Sequence, residues 1–390
     1  MSETQQWFNL HIYYYDEQKD QLILDCVQPL FQKIKGQVER AFFVRHWTHG
    51  PHLRLRFLCT SEQFATLVQP MIETEVGRYL KAHPSGTILN EEQLRPLYEH
   101  LARQEQEREA VLPLFPNNSI QYLPYDRRLH VLKNLLLAEL LEDFYSASNE
   151  LVFEMLTFVR QGYNLLTLCL DLMHTTAYML SSHITNGFLS YRSHAEGFII
   201  SCKQPQAMRA LFEQKYQVQA GALTERLRRL LQSLQQQEAL FPFTRPWSLL
   251  LQNFWERAET LIQTNQIDAM PPLEGDIPGF TGTAREHLSQ SAFHWQLEGQ
   301  PEYKKALYED KWFQTYRLML NLLYLHLNRL GVRPIERFML CHLAANSVEE
   351  VFHVKAEEIM ADPASAIRAM RTAQDTPAVQ KEGRAAWQSS

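Results

Sequence analysis

FFVRHWTHGPHLRLRF, running from Phe42 to Phe57, contains two short strand-like runs joined by Thr48-His49-Gly50-Pro51. In its second half His52, Arg54 and Arg56 alternate with Leu53, Leu55 and Phe57. A strand's two-residue period puts those two sets on opposite faces, one apolar and one cationic. The Gly-Pro turn makes the pair a hairpin. Two guanidiniums side by side repel each other, so the pattern suits an anion, a carboxylate or phosphate, held between them. An edge strand whose arginines face water or pair with glutamate fits the same spacing.

Working outward, Trp7 to Tyr15 (WFNLHIYYY) alternates Phe8, Leu10, Ile12 and Tyr14 against Trp7, Asn9, His11 and Tyr13 and reads as a strand. Residues 19 to 38 suit a helix, with Leu22, Cys26, Leu30 and Ile34 on one stripe, and a further helix is expected over Glu62 to Ala82. From Glu91 the pattern turns helical, over 91 to 111, 128 to 146, 149 to 189, 206 to 237, 246 to 265, 302 to 330 and 335 to 358. The expected class is α+β: a small N-terminal antiparallel sheet with flanking helices (1 to 90), then a mainly helical portion (91 to 360). Together they are expected to form a single unit over 1 to 360. Past Asp362 few large apolar residues remain, and 361 to 390 read as a frayed tail.

With 390 residues, 45% hydrophobic and 21% charged, the chain can bury a sizeable core. A net charge of -6 gives no overall footprint for nucleic acid or an anionic membrane. The five cysteines, Cys26, Cys59, Cys169, Cys202 and Cys341, are scattered among apolar neighbours with no CxxC pair, as in a reduced cytoplasm. No apolar run approaches the ~20 residues of a spanning helix, so neither export nor membrane insertion is expected.

Two loops interrupt the helical part, Leu114 to Pro124 and Ile267 to Thr283, and either could cover a substrate or simply connect surface elements. His46, His49 and His52 recur at intervals of three across the turn, but no fourth ligand accompanies them and no metal is expected. No GxSxG, Walker-type or GxGxxG glycine motif supports acyl-enzyme or nucleotide chemistry, and no cofactor is expected. Near the C-terminus His342 and Asn346 lie one turn apart on a helix face with Ile335, Met339 and Glu349. A lone histidine on such a stripe is more often a satisfied core residue than a catalytic one.

WFNLHIYYY, followed about thirty residues later by FFVRHWTHGPHLRLRF, resembles the opening of the C-terminal module of lantibiotic dehydratases and their stand-alone relatives, the thiopeptide-type bacteriocin biosynthesis proteins. RLGVRPIERFMLCHLAANSVEEVF, Arg329 to Phe352, resembles that module's closing helices, in which a histidine precedes an asparagine by four residues. The resemblance implies an enzyme acting on a precursor peptide. It would eliminate glutamate from O-glutamylated Ser or Thr to leave dehydroalanine or dehydrobutyrine. Arg54 and Arg56 then match the family's paired arginines, and His342 matches its histidine. Cations at the developing enolate and departing carboxylate, with an imidazole as acid or base, suit that reaction. Arg45, His52, Arg127, Arg128 and Asn346 are expected to contact substrate.

In one segment the chain departs from the family. YDRRLHVLKNLLLAELLEDF, from Tyr125, lacks a Gly-Gly, and Arg128 and Val131 stand where eliminases carry a functional Glu and Arg. Arg127, Arg128 or His130 could substitute, or the chemistry has changed. The alternative is that of divergent stand-alone members, which join two dehydroalanines in a formal [4+2] cycloaddition, form a pyridine and expel the leader peptide. Retention of both arginines and His342 favours elimination. A third reading is a non-catalytic partner that receives an extended leader peptide along a sheet edge. The resemblance further implies a leader-bearing precursor peptide as partner, a separate tRNA-dependent glutamyl-transfer protein, and a homodimer or a complex with that protein. Direct nucleic-acid binding is not implied.

Overall fold

The computed structural model describes residues 4–17, 19–181, 183–238, 240–268, 291, 293–294 and 309–360. The chain divides into two compact units, Met1–Tyr163 with Leu325–Gly331, and Asn164–Tyr324 with Val332–Ser390. The class is α+β, as expected, with the sheet confined to the first unit.

Strands β1 (Gln6–Tyr13), β2 (Arg40–His46), β3 (His52–Cys59) and β4 (Ser119–Tyr122) form one sheet in the order β2-β3-β1-β4. Every neighbouring pair is antiparallel. Helix α1 links β1 to β2 and runs Asp20–Leu22, through a π-turn at Ile23–Val27, to Gln28–Ile34. Helix α2 follows β3 and repeats the plan with Ser61–Gln63, a π-turn at Phe64–Val68 and Gln69–Ala82. Both wide turns lie just before a Val-Gln-Pro step, Pro29 and Pro70, where a proline ring would clash with the carbonyl of a regular turn. The β-α-β-β-α-β order with β1 and β3 central is the ferredoxin-like arrangement.

Register assigns the faces. Phe8, Leu10 and Ile12 share one with Leu53, Leu55, Phe57 and Phe43, and it is covered by α1 and α2: Phe31 meets Phe43 and Phe57 edge-on, and Phe64 stacks on Phe8 at 4.0 Å. Trp7, Asn9, His11 and Tyr13 share the other with His52, Arg54, Arg56, Phe42 and His46. The predicted strands and their parity therefore hold, but β3 is an interior strand rather than an edge.

The hairpin turn requires its glycine. Gly50 has φ 110°, and a Cβ there would come within 2.7 Å of the Tyr15 ring. Helix α3 (Glu91–Glu105), predicted to continue to 111, ends earlier because Gln106 turns left-handed. Four residues of the predicted loop 114 to 124 form β4. Short α4 (Leu129–Leu132), α5 (Leu135–Ala147) and α6 (Asn149–Arg160) complete the unit, with the last turn of the helix Lys311–Arg329.

The second unit is helical among its described residues. It holds α7 (Leu165–Leu180), α8 (Ile184–Gly187), α9 (Leu189–Ser201), α10 (Pro205–Gln217), α11 (Ala220–Gln235), α12 (Thr244–Gln263), most of α13 (Lys311–Arg329), α14 (Pro334–Phe352) and α15 (Ala356–Ile359). Helix α9 falls where no regular pattern announced one. No described helix is long and apolar enough to cross a membrane. Most of the predicted loop 267 to 283, the start of the helix at 302 and the tail from 361 lie outside the described residues.

Candidate functional site

The face of the sheet opposite α1 and α2 collects the charged and aromatic groups. Register sets His11 beside Arg54 and Asn9 beside Arg56 across β1 and β3, and sets His46 beside His52 across β2 and β3. The His11 and His52 rings stack with centroids 4.5 Å apart, and Tyr13 packs on His52 at 4.6 Å. His52 Nδ1 donates to the Gly50 carbonyl at 2.8 Å, which leaves Nε2 to accept from Arg54 Nε at 3.1 Å. Arg54 also donates to Thr48 Oγ1 at 2.8 Å. Burial first, joined by the Arg54 guanidinium, pushes the pKa values of His11, His46 and His52 down, with Arg56 adding to the effect on His11 and His46, so all three imidazoles stay neutral beside the arginines. Burial, then Arg56, destabilises the charge on Arg54, which Glu107 partly restores.

Arg56 is held differently. Its guanidinium carbon lies 4.3 Å from the Tyr125 ring centre and 5.3 Å from that of Phe42. Trp7 meets both rings edge-on at 5.4 Å. Arg56 is only 9% exposed, yet among the described residues it has no carboxylate partner, and its Nε is buried without a hydrogen bond. A nearly buried cation packed on two ring faces, with no carboxylate partner among the described residues, makes Arg56 the candidate on this face for meeting an anionic or polar group of a substrate, because desolvation is costly without a counter-charge.

The segment after β4 supports this face. Tyr125 donates to Glu142 Oε1 at 2.8 Å, and Arg127 Nε lies 2.8 Å from the same carboxylate, which is 2% exposed. Arg127 thus anchors the Tyr125 ring over Arg56 through Glu142. Arg128, itself left-handed at φ 54°, donates to the Glu105 carbonyl, and His130 pairs with the Gln106 carbonyl at 3.0 Å. These two side chains cap the end of α3, where helix carbonyls lack internal partners.

Of the residues predicted to act together, Arg54, Arg56 and His52 share this face, and Arg127 and Arg128 brace it. Arg45 does not join them: it lies on the opposite face, donating to the Arg329 carbonyl at 2.9 Å and pairing with Asp20. His342 and Asn346 belong to the second unit. His342 is 3% exposed, with Nε2 3.2 Å from Glu213 Oε2 and 3.1 Å from Asn346 Nδ2. Asn346 donates to Glu213 at 3.1 Å and accepts from Arg192, which pairs with Glu349 at 3.0 Å. Burial, then Arg192, lowers the His342 pKa against the pull of Glu213, and Nδ1 is buried without a partner.

Sequence reasoning missed several contributors. His11, Asn9 and Trp7 were placed on one strand face, but only the register brings them to the arginines. Glu105 and Glu107, in the EQER run ending α3, carried no periodic signal, and Tyr125 was read only as a marker of family resemblance.

The family model for the C-terminal part of the lantibiotic biosynthesis dehydratase matches residues 7–348. Among solved structures the chain is similar to the pyridine synthase TbtD from thiomuracin biosynthesis, at 30% identity and TM-score 0.71, covering 90% of this chain and 99% of that one. It is also similar to TsrL, at 22% identity and TM-score 0.69, covering 94% and 99%. Against the tRNA-dependent lantibiotic dehydratase MibB from Microbispora sp. 107891 the values are 15% and 0.47, covering 89% of this chain and 28% of that one. No curated protein matches the sequence. The chain belongs to the lantibiotic biosynthesis dehydratase C-terminal family, and with it to the proteins of peptide-antibiotic biosynthesis.

Proposed function

We propose that this chain is a peptide-modifying enzyme that joins two dehydroalanines of a precursor peptide into a pyridine and releases the leader. The observation that carries this reading is the likeness to the pyridine synthase TbtD over nearly the whole of both chains. The site agrees with it. Elimination of glutamate calls for a functional Glu and Arg in the segment after Tyr125, and there Arg128 and Val131 stand instead, with Arg128 used as a helix cap.

Atom balance defines what the site must do. Two dehydroalanines closed through a backbone amide give a six-membered ring that still carries the amide oxygen, now a hydroxyl, and the leader nitrogen. Two C–C bonds form; aromatisation then expels the hydroxyl as water and the leader nitrogen as a carboxamide. Each leaving group departs with a proton drawn from a ring carbon, and no oxidant is consumed. Arg56, with Arg54 beside it, donates hydrogen bonds to the amide oxygen as negative charge builds there. The neutral histidines and the rings of Trp7, Phe42 and Tyr125 exclude water and hold the two alkenes in reach of each other. His342 and Asn346 are a second candidate polar pair, and His342→Ala tests them: full turnover removes the imidazole from the chemistry.

Elimination remains the competing reading, because both arginines and His342 are retained. Purified protein is given, in parallel, a leader peptide bearing two dehydroalanines and one bearing O-glutamyl serine, and the products are weighed by high-resolution mass spectrometry. Conversion of the first to ring product plus leader supports the proposal. Loss of glutamate from the second, with the first untouched, replaces it with elimination. Binding of both with no mass change leaves a non-catalytic peptide partner.

A further inference from the structure

The reading above uses the cations of the polar face, but the face also carries acids. The ligating atoms of His46, Glu105 and Glu107 all lie within 4.8 Å of one another. The end of α3 brings them together. Gln106, left-handed at φ 54°, donates to the Arg103 carbonyl at 3.3 Å, and Glu107 N–H donates to that of Ala102 at 2.9 Å. That double closure is usually made with glycine, and a side chain in this conformation costs about 1 kcal/mol. Arg128 and His130 pin the carbonyls of Glu105 and Gln106, so the turn is fixed from both sides.

A divalent metal fits these groups poorly. Arg128 lies 3.3 Å from Glu107 Oε1, and Arg54 acts on both carboxylates. Two guanidiniums already match all the negative charge these two carboxyls can carry, and a metal would add two uncompensated positive charges beside Arg56. A proton is the charge this cluster can accept and release.

We propose that Glu105 is the proton-transfer residue of this face. The inference rests on the ring-forming reading. Trp47 Nε1 donates to Glu105 Oε1 at 3.1 Å and fixes the carboxyl, and Glu105 is half-buried rather than sealed. Glu107, Arg128, Arg54 and His46 are the charged and titratable groups facing it. Burial raises the Glu105 pKa, Glu107 adds to that, and the Trp47 hydrogen bond, Arg128 and Arg54 oppose it. In the dehydration step Glu105 gives its proton to the ring hydroxyl as the C–O bond breaks and water leaves. Its carboxylate then takes a proton from the ring CH2 next to the C=N carbon, on the far side of the ring nitrogen, so that this carbon pair becomes C=C, the nitrogen becomes doubly bonded to the former carbinol carbon, and the acid is restored.

The test is Glu105→Gln, which keeps the acceptor for Trp47 but carries no exchangeable acid proton. With the bis-dehydroalanine peptide, turnover is expected to fall by about 10²–10⁴-fold. Wild type is expected to lose activity as pH rises through the Glu105 pKa, and this limb is expected to vanish in the variant. Trp47→Phe removes a bond that lowers that pKa, so it is expected to shift the same limb to higher pH, which gives a readout if Glu105→Gln fails to fold. A Glu105→Gln protein with wild-type rate and pH profile overturns the proposal. If wild type leaves this peptide unchanged, the ring-forming reading fails separately, and the proton is read without turnover. Infrared difference spectra between acid and neutral pH, wild type against Glu105→Gln, should show a carboxyl ionising above the ordinary glutamate range; one ionising within that range overturns the assignment.

Discussion

Arg56→Met separates a functional arginine from a structural one, because the two roles predict opposite effects on stability. The guanidinium touches two ring faces, at 4.3 and 5.3 Å, and losing them costs about 1–2 kcal/mol. Against this, a side chain only 9% exposed carries a charge with no carboxylate partner among the described residues, and desolvating an ion costs several kcal/mol even after relaxation. Methionine fills similar space between Phe42 and Tyr125 without that penalty. The net expectation is unchanged stability or a gain of about 1–2 kcal/mol in guanidinium chloride unfolding. Turnover is expected to fall about 10²–10³-fold, the scale for removing one donor to a developing oxyanion. A variant destabilised by more than about 2 kcal/mol that still turns over peptide would refute the reasoning, since Arg56 would then be a packing residue.

Further consequences follow from the same contacts. Tyr125→Phe keeps the ring over Arg56 but removes a hydrogen bond to the buried Glu142, so activity should survive while stability drops by about 1–2 kcal/mol; Tyr125→Ala should lose both. His11, His46 and His52 have folded-state pKa values below the ordinary 6.5, so protons bind the unfolded chain preferentially. Their contribution is present above about pH 6.5 and is lost as pH falls below it, by up to about 1.4 kcal/mol per histidine per pH unit. Denaturation series at successive pH values on wild type and His11→Gln should show a shallower acid slope in the variant; identical slopes would remove His11 from the account. His342→Ala deprives Glu213 and Asn346 of a buried partner and should destabilise the second unit by about 1–3 kcal/mol in thermal unfolding, whatever its effect on turnover.

Much of the sheet was legible because alternation is a local property. Parity in HLRLRF and WFNLHIYYY correctly separated the apolar face from the polar one. Register is not local, so nothing in either strand announced that His11 pairs with Arg54 or Asn9 with Arg56. The interior position of β3 was hidden for the same reason: the hairpin announces its pairing with β2, but nothing in HLRLRF announces the second pairing, with β1. Helix α9 escaped notice because its buried positions include Arg192 and Glu196, which Glu349 and Arg209 neutralise, and apolar periodicity is blind to such pairs. The end of α3 was overrun because Gln106 occupies a left-handed position where a glycine would have marked the stop.

The most direct test of the central claim is the chemical form of the leader released from the bis-dehydroalanine peptide, read by tandem mass spectrometry. Ring formation with aromatisation predicts a leader ending in a carboxamide, released together with one water and a product carrying a pyridine. A leader ending in a carboxylic acid would mean hydrolysis, and a peptide still bearing both dehydroalanines would contradict the account outright.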